Sequence, residues 1–182
     1  MRNYHLLCLN RLKFQLFNHK LITKTKNMAI QVGQAAPEFK LFNTEKKEIS
    51  LSDYKGKNLV ILFFPLAFTG VCTAELCSIR DNYNVYVSLN AEVIGISADS
   101  LFVLDKFKKE QNYNFDLLSD FNKTTSKNYE TLYETFGFGM HGVPKRSAFV
   151  VDKNGILQYA EVLEDAGKQP NFDAIKSCLE KI

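Results

Sequence analysis

From Leu59 to Phe64 the chain is apolar without a break (Leu-Val-Ile-Leu-Phe-Phe), and Pro65 stops the run. A strand with apolar side chains on both faces must be covered on both faces, as a central strand of an α/β sheet is. The rest of the chain agrees, because residues 28–182 alternate apolar runs with longer mixed segments, the pattern of strands interleaved with helices. Residues 39–42 and 48–51 flank a charged turn and predict a small N-terminal β-hairpin. A helical pattern covers 69–89, with Leu76, Ile79, Tyr83 and Tyr86 or Val87 at core spacing. Residues 91–97 predict the next strand, 101–111 an amphipathic helix with Phe102 and Phe107 turned inward, 115–118 a short strand, and 124–136 another helix. Residues 146–151 and 156–163 predict a hairpin around Asp152-Lys153-Asn154-Gly155, whose Asn-Gly pair suits the positive φ angles of a tight turn. Residues 172–182 predict a closing helix. The expected fold class is α/β: one domain with a central mixed β-sheet flanked by helices and preceded by the hairpin.

Charge separates an arm from this body. Residues 1–27 carry six basic side chains (Arg2, Arg11, Lys13, Lys20, Lys24, Lys26) and no acid, so the remaining residues hold 17 basic and 20 acidic groups. A mildly acidic body is not the footprint of a nucleic-acid binder, which clusters Lys and Arg on the folded domain. No charge-free stretch approaches the about 20 apolar residues of a membrane span. In the arm, Leu6, Leu9, Leu12 and Leu16 fit one helical face, as in an organellar presequence. Yet two arginines and no serine depart from transit-peptide composition, and the apolar run is too broken for a secretory signal. Met28 is followed by a suitable domain start, Ala29-Ile30-Gln31-Val32-Gly33. The reading favoured here is therefore an upstream extension, residues 1–27, ahead of a cytoplasmic domain at 28–182, with organellar targeting as the alternative.

The segment Pro65-Leu66-Ala67-Phe68-Thr69-Gly70-Val71-Cys72-Thr73-Ala74-Glu75-Leu76-Cys77 runs from the buried strand into a helix. With Thr69 as N-cap, its hydroxyl is expected to accept from a first-turn N–H, and Cys72 falls at the third helical position. Unpaired N–H groups and the positive end of the helix dipole favour an anion there. Cysteines at helix N-termini or beside cations ionise far more readily than a free thiol, whose pKa is near 8.5. On residues alone two readings stand: a reactive thiol, or an inert core cysteine.

Pro65-x-x-x-Thr69-x-x-Cys72 resembles the peroxidatic-cysteine motif of the peroxiredoxin family, the alkyl hydroperoxide reductase and thiol-specific antioxidant group. The string from Phe63 through Cys77 is similar to its bacterial one-cysteine-like and bacterioferritin-comigratory-like branches, and the element order from Val32 onward fits that family's thioredoxin-like fold. The resemblance implies that Cys72 attacks a hydroperoxide and becomes sulfenic acid. It further implies that Pro65 shields the thiolate, that Thr69 directs its hydroxyl toward thiolate and peroxide, and that Arg146, in Val143-Pro144-Lys145-Arg146-Ser147, stabilises thiolate and leaving oxygen. Without the family, Arg146 reads as a surface charge no different from Lys145. Glu75 sits where the family often has a glutamate that orients an arginine, and it is also a first-turn carboxylate favoured by the dipole.

Cys77 resembles the resolving cysteine of the bacterioferritin-comigratory branch. On an intact helix the two Cα atoms lie roughly 8–9 Å apart, beyond the about 7 Å reach of a disulfide, so resolution by Cys77 requires the first turns to unwind. If they stay wound, Cys77 is a core residue and an external thiol must resolve Cys72. Cys178 reads as structural, Cys8 has no assignable role, and His141, in Gly139-Met140-His141-Gly142, is expected on a loop near the site or at a subunit contact. The resemblance implies no metal, haem or flavin, a hydroperoxide substrate, thioredoxin or a small thiol as reductant, and a homodimer, with the loop at 136–142 as its candidate contact. Two alternatives remain: a peroxide-sensing thiol protein, and a zinc-binding interaction module using Cys72, Cys77, His141 and one further ligand, since Cys-x4-Cys is a permitted ligand spacing.

Overall fold

The computed structural model describes residues 30–182, so the arm at 1–27 and Cys8 lie outside the described residues. One mixed seven-stranded sheet carries the fold, in the order β2-β1-β5-β4-β3-β6-β7. β1 (Lys40–Asn43) and β2 (Glu48–Ser50) form the expected hairpin, and a short 3-10 turn at Leu51–Tyr54 follows. β3 (Asn58–Phe63) is buried at every position and occupies the interior of the sheet, parallel to β4 (Ala91–Ser97) and antiparallel to β6 (Ser147–Val151). β5 (Asp116–Ser119) extends the parallel part beside β4, and β7 (Leu157–Val162) closes the far edge against β6.

Because side chains alternate along a strand, the apolar run splits its residues between two layers. Val60, Leu62 and Phe64 pack with Leu76 and Ile79 of α1 (Gly70–Asp81), Tyr86 of α2 (Tyr83–Ser88), Leu104 and Phe107 of α3 (Leu101–Gln111), and Ile175 and Leu179 of α5 (Phe172–Leu179). Leu59, Ile61 and Phe63 face the opposite layer, with Phe39, Leu51, Phe149 and Tyr129, which follows α4 (Thr124–Asn128). No helix among the described residues is long and apolar enough to cross a membrane.

Four local expectations are corrected. The helix expected over 69–89 breaks at Asn82, which leaves helical geometry at φ −107°, ψ 14° while its side-chain amide donates to the Ser78 carbonyl. Asn competes for backbone groups in this way and favours helix ends. The helix expected over 124–136 stops after five residues, because Glu130 takes φ +53° and Leu132 then pairs with Pro144 in a strand-like bridge. That bridge, with the Lys145 amide donating to the Thr131 carbonyl, steadies the approach to β6. Phe102 is exposed, because five residues before Phe107 is about 140° around a helix and so off the face that buries Leu104 and Phe107. In the β6–β7 hairpin only Gly155 has positive φ, and the Asp152 carboxylate accepts from the Asn154 and Ile156 amides, so the turn differs from a two-residue Asn-Gly turn.

Gly95 marks the tightest packing of the central strands. A Cβ there would sit 2.7 Å from Leu117 Cδ2 and 3.3 Å from Phe64 Cε1, both fully buried side chains. Gly95→Ala is expected to destabilise the domain by about 1–3 kcal/mol, read as a lower urea midpoint with an unchanged m-value.

Candidate active site

The parallel strands β3, β4 and β5 end at one edge of the sheet, where open α/β sheets leave a crevice for ligands. Chain leaving β3 passes through buried Pro65 and turns into α1, whose N-cap is Thr69 in extended geometry at φ −90°, ψ 148°. Cys72 is the third residue of that helix and is 1% exposed. The cap differs from expectation, because the Thr69 hydroxyl makes no capping bond and donates instead to the Leu66 carbonyl at 2.9 Å. It therefore braces the loop from within, and the first-turn N–H groups around Cys72 gain no acceptor from it.

Arg146 reaches the same place from the other side of β3. Phe63 pairs with Ser147, so the register places Arg146 one step further along, level with the end of β3. The guanidinium is buried, 1% exposed, and its Nη2 donates to Cys72 Sγ at 3.3 Å and to the Ala166 carbonyl at 3.0 Å. Its Nη1 forms an ion pair with Oε2 of fully buried Glu75, one turn after Cys72. Burial opposes the charge on Arg146, but Glu75 and Cys72 hold its pKa above the ordinary value. Burial pushes the Glu75 carboxyl up to about 7, against the pull of Arg146. Glu75 Oε1 and Arg146 Nε have no hydrogen-bond partner in the described structure.

Thus Cys72, Glu75 and Arg146 converge. Cys77 lies on the same unbroken helix but faces away toward α3, with Sγ 3.7 Å from Gln111 Oε1 and 4.0 Å from the Tyr113 hydroxyl. His141 is exposed on its loop, with Nδ1 2.8 Å from the Glu134 carbonyl, and Cys178 packs beside the core in α5. Among the described residues no three His, Cys, Asp or Glu side chains are grouped as metal ligands. Such a grouping is what the zinc alternative requires.

Two contributors escape the sequence. The Ala166 carbonyl is a backbone group with no side-chain signature. Asp99, just beyond β4, accepts the Ala67 amide at 2.8 Å and so holds the loop ahead of Cys72. Its only sequence signal is position, since it follows a buried strand at the end where sites collect.

Residues 32–160 match the AhpC/TSA family, a span that contains every predicted site residue from Pro65 to Arg146. The chain belongs to the AhpC/TSA family. Peroxiredoxin Bcp of Bacillus subtilis is 38% identical over 132 residues, covering 71% of this chain and 83% of that protein. Chloroplastic peroxiredoxin Q of Oryza sativa subsp. japonica is 38% identical over 130 residues, covering 71% of this chain but only 58% of that protein, so the chain spans less than two thirds of this relative. The crystal structure of peroxidoxin BcpB from Mycobacterium tuberculosis superposes with a TM-score of 0.74 at 24% identity, covering 84% of this chain and 98% of that one. The fold is accordingly the thioredoxin-like fold of the peroxiredoxins.

The Glu75 carboxyl supplies a test of the site's electrostatics. Its pKa in the folded state, about 7, lies above its ordinary value of 4.5, so between those pH values the folded protein holds a proton that the unfolded chain releases. Stability from this group is full below the lower value and lost as pH rises through the window. Urea melts across the window are expected to show a steeper loss for wild type than for Glu75→Gln, which cannot titrate.

Proposed function

We propose that the domain is a thiol-dependent peroxidase that reduces hydrogen peroxide and small organic hydroperoxides at Cys72. The observation that carries this reading is the buried contact of 3.3 Å between Arg146 Nη2 and Cys72 Sγ, made at the first turn of a helix. Helix N-terminus and guanidinium both favour a sulfur anion, which is the reactive form of cysteine.

In the proposed reaction the Cys72 thiolate attacks the terminal oxygen of the hydroperoxide. An S–O bond forms, the O–O bond breaks, and the other oxygen leaves with a proton as water or an alcohol. The sulfur loses two electrons and becomes sulfenic acid, the reversible rung of the oxidation ladder. Fixed N–H donors of Arg146 stabilise the charge developing on the leaving oxygen, and they need no reorganisation to do so. The Ala166 carbonyl and Glu75 hold the fork in place.

Resolution is proposed through Cys77. Its thiolate attacks the sulfenic sulfur, hydroxide leaves and is protonated to water, and a Cys72–Cys77 disulfide forms for thioredoxin or a small thiol to reduce. Both cysteines lie on α1, where their Cα atoms are roughly 8–9 Å apart, so the first turns must open before the bridge can close. A homodimer through the loop at 136–142, which carries fully exposed Phe138, belongs to the same reading.

Cys72→Ser is expected to abolish peroxide turnover with a reductant present, and activity near wild type would end the proposal. Arg146→Leu is expected to slow single-turnover oxidation of Cys72 by about 10²–10³-fold, with circular dichroism confirming that the fold persists. One equivalent of hydrogen peroxide, followed by thiol blocking and peptide mass mapping, is expected to give the Cys72–Cys77 disulfide. Oxidised Cys72 beside free Cys77 would assign resolution to an external thiol.

A further inference from the structure

The loop that delivers Cys72 contains a conformational oddity. Phe68 adopts φ +62°, a left-handed geometry that a bulky residue seldom takes without support from its surroundings. Three contacts supply that support. The Ala67 amide donates to Asp99 Oδ2 at 2.8 Å, the Phe68 ring packs on buried Phe107 with centroids 4.8 Å apart, and the Thr69 hydroxyl closes onto the Leu66 carbonyl.

The carboxylate is the contact that reaches furthest. The same Asp99 Oδ2 accepts the Ser97 hydroxyl at 2.6 Å, and the Asp99 amide donates to Ser97 Oγ at 3.0 Å. Ser119 in turn donates its hydroxyl to the Asp99 carbonyl at 2.6 Å. Ser97 is the last residue of β4 and Ser119 the last of β5. One residue therefore ties the ends of two parallel strands to the loop leaving the third, and an ionised acceptor makes such bonds short and strong.

The Arg146 backbone is placed separately, at the entry to β6, and the Ala166 carbonyl holds its guanidinium from outside α1. The separation of Cys72 Sγ from Arg146 Nη2 is thus set by two supports, of which the loop is one. Resting on the thiol-peroxidase reading above, we propose that Asp99 is a positioning residue: by holding the Ala67 amide and the turn at Phe68 it sets the first turn of α1 against Arg146, and so the reactivity of Cys72. Without it the Ala67 amide loses its partner, Phe68 relaxes toward negative φ, and Thr69 and Cys72 shift together.

The test uses the full chain with two substitutions and two readouts. Asp99→Ala removes the acceptor. Asp99→Asn keeps an oxygen able to accept from both Ala67 and Ser97 while discarding the charge. In single turnover with hydrogen peroxide, Asp99→Ala is expected to form Cys72 sulfenic acid about tenfold more slowly or worse, since displacements near 1 Å carry penalties of that order. The pH of half-maximal Cys72 alkylation is expected to move upward in Asp99→Ala, and Asp99→Asn is expected to restore both readouts.

Wild-type rate and pH profile in Asp99→Ala, with only a lower melting temperature, would reduce Asp99 to a structural residue and overturn the proposal. A downward shift of the alkylation profile in both variants would overturn it too, by showing the carboxylate acting as a charge on Cys72. Should Asp99→Ala not fold, Ser97→Ala, which cuts the carboxylate from β4, is decided by the same readouts. If wild type itself forms no sulfenic acid, the peroxidase reading fails, while the alkylation profiles still decide the positioning role.

Discussion

A guanidinium buried to 1% exposure is the constraint around which the rest of this structure is arranged. Taking a full charge out of water costs several kcal/mol unless partners replace the lost hydration. Arg146 finds Glu75 and Cys72 on α1 and the Ala166 carbonyl beyond β7. Two separate stretches of chain, α1 and the segment at Ala166, are thereby drawn to the start of β6. Burial of the charge and assembly of the site are the same event.

The partners of Arg146 also compete. In the proposed reactive state, an ionised Glu75 and a Cys72 thiolate together carry one more negative charge than the guanidinium balances, and in a buried site that excess is costly. Burial pushes the Glu75 carboxyl up to about 7, which works against that excess. Glu75 orients the fork through its contact with Nη1, while Nη2 is left to the sulfur and the Ala166 carbonyl.

Legibility from the sequence followed the range of the interactions. The buried strand, the N-terminal hairpin and the strand at 91–97 could be read because apolar periodicity is a local signal. Cys72, Pro65, Thr69, Glu75 and Cys77 fall in one short string, so a motif could carry them. Arg146 stands 74 residues from Cys72, and only family resemblance distinguished it from Lys145. What stayed hidden depends on tertiary context. Asn82 ends a helix whose periodicity continues, Glu130 turns where propensity favours helix, and the Thr69 hydroxyl chooses a carbonyl over the cap. Asp99 was invisible for the same reason, since its partner amide belongs to a different strand's loop.

The same contacts explain why a closed site and an intramolecular bridge pull in opposite directions. The contacts proposed to make Cys72 reactive also hold α1 in its wound position: the Arg146 fork, and the loop that Asp99 and Phe107 hold at Phe68. Cys77 lies five residues on, its sulfur turned toward Gln111 and Tyr113, and cannot reach Cys72 from a wound helix. C-terminal to it, Arg80 donates to the Gln111 carbonyl at 2.5 Å and pins that half of α1 to the end of α3. Resolution by Cys77, as proposed, therefore asks the first turns of α1 to open rather than its C-terminal half. In the proposed mechanism, oxidation of a Cys72 thiolate to a neutral sulfenic acid removes a charge that a helix N-terminus and a guanidinium favour. On that reading the reaction itself weakens the hold on the segment that has to open for Cys77 to act.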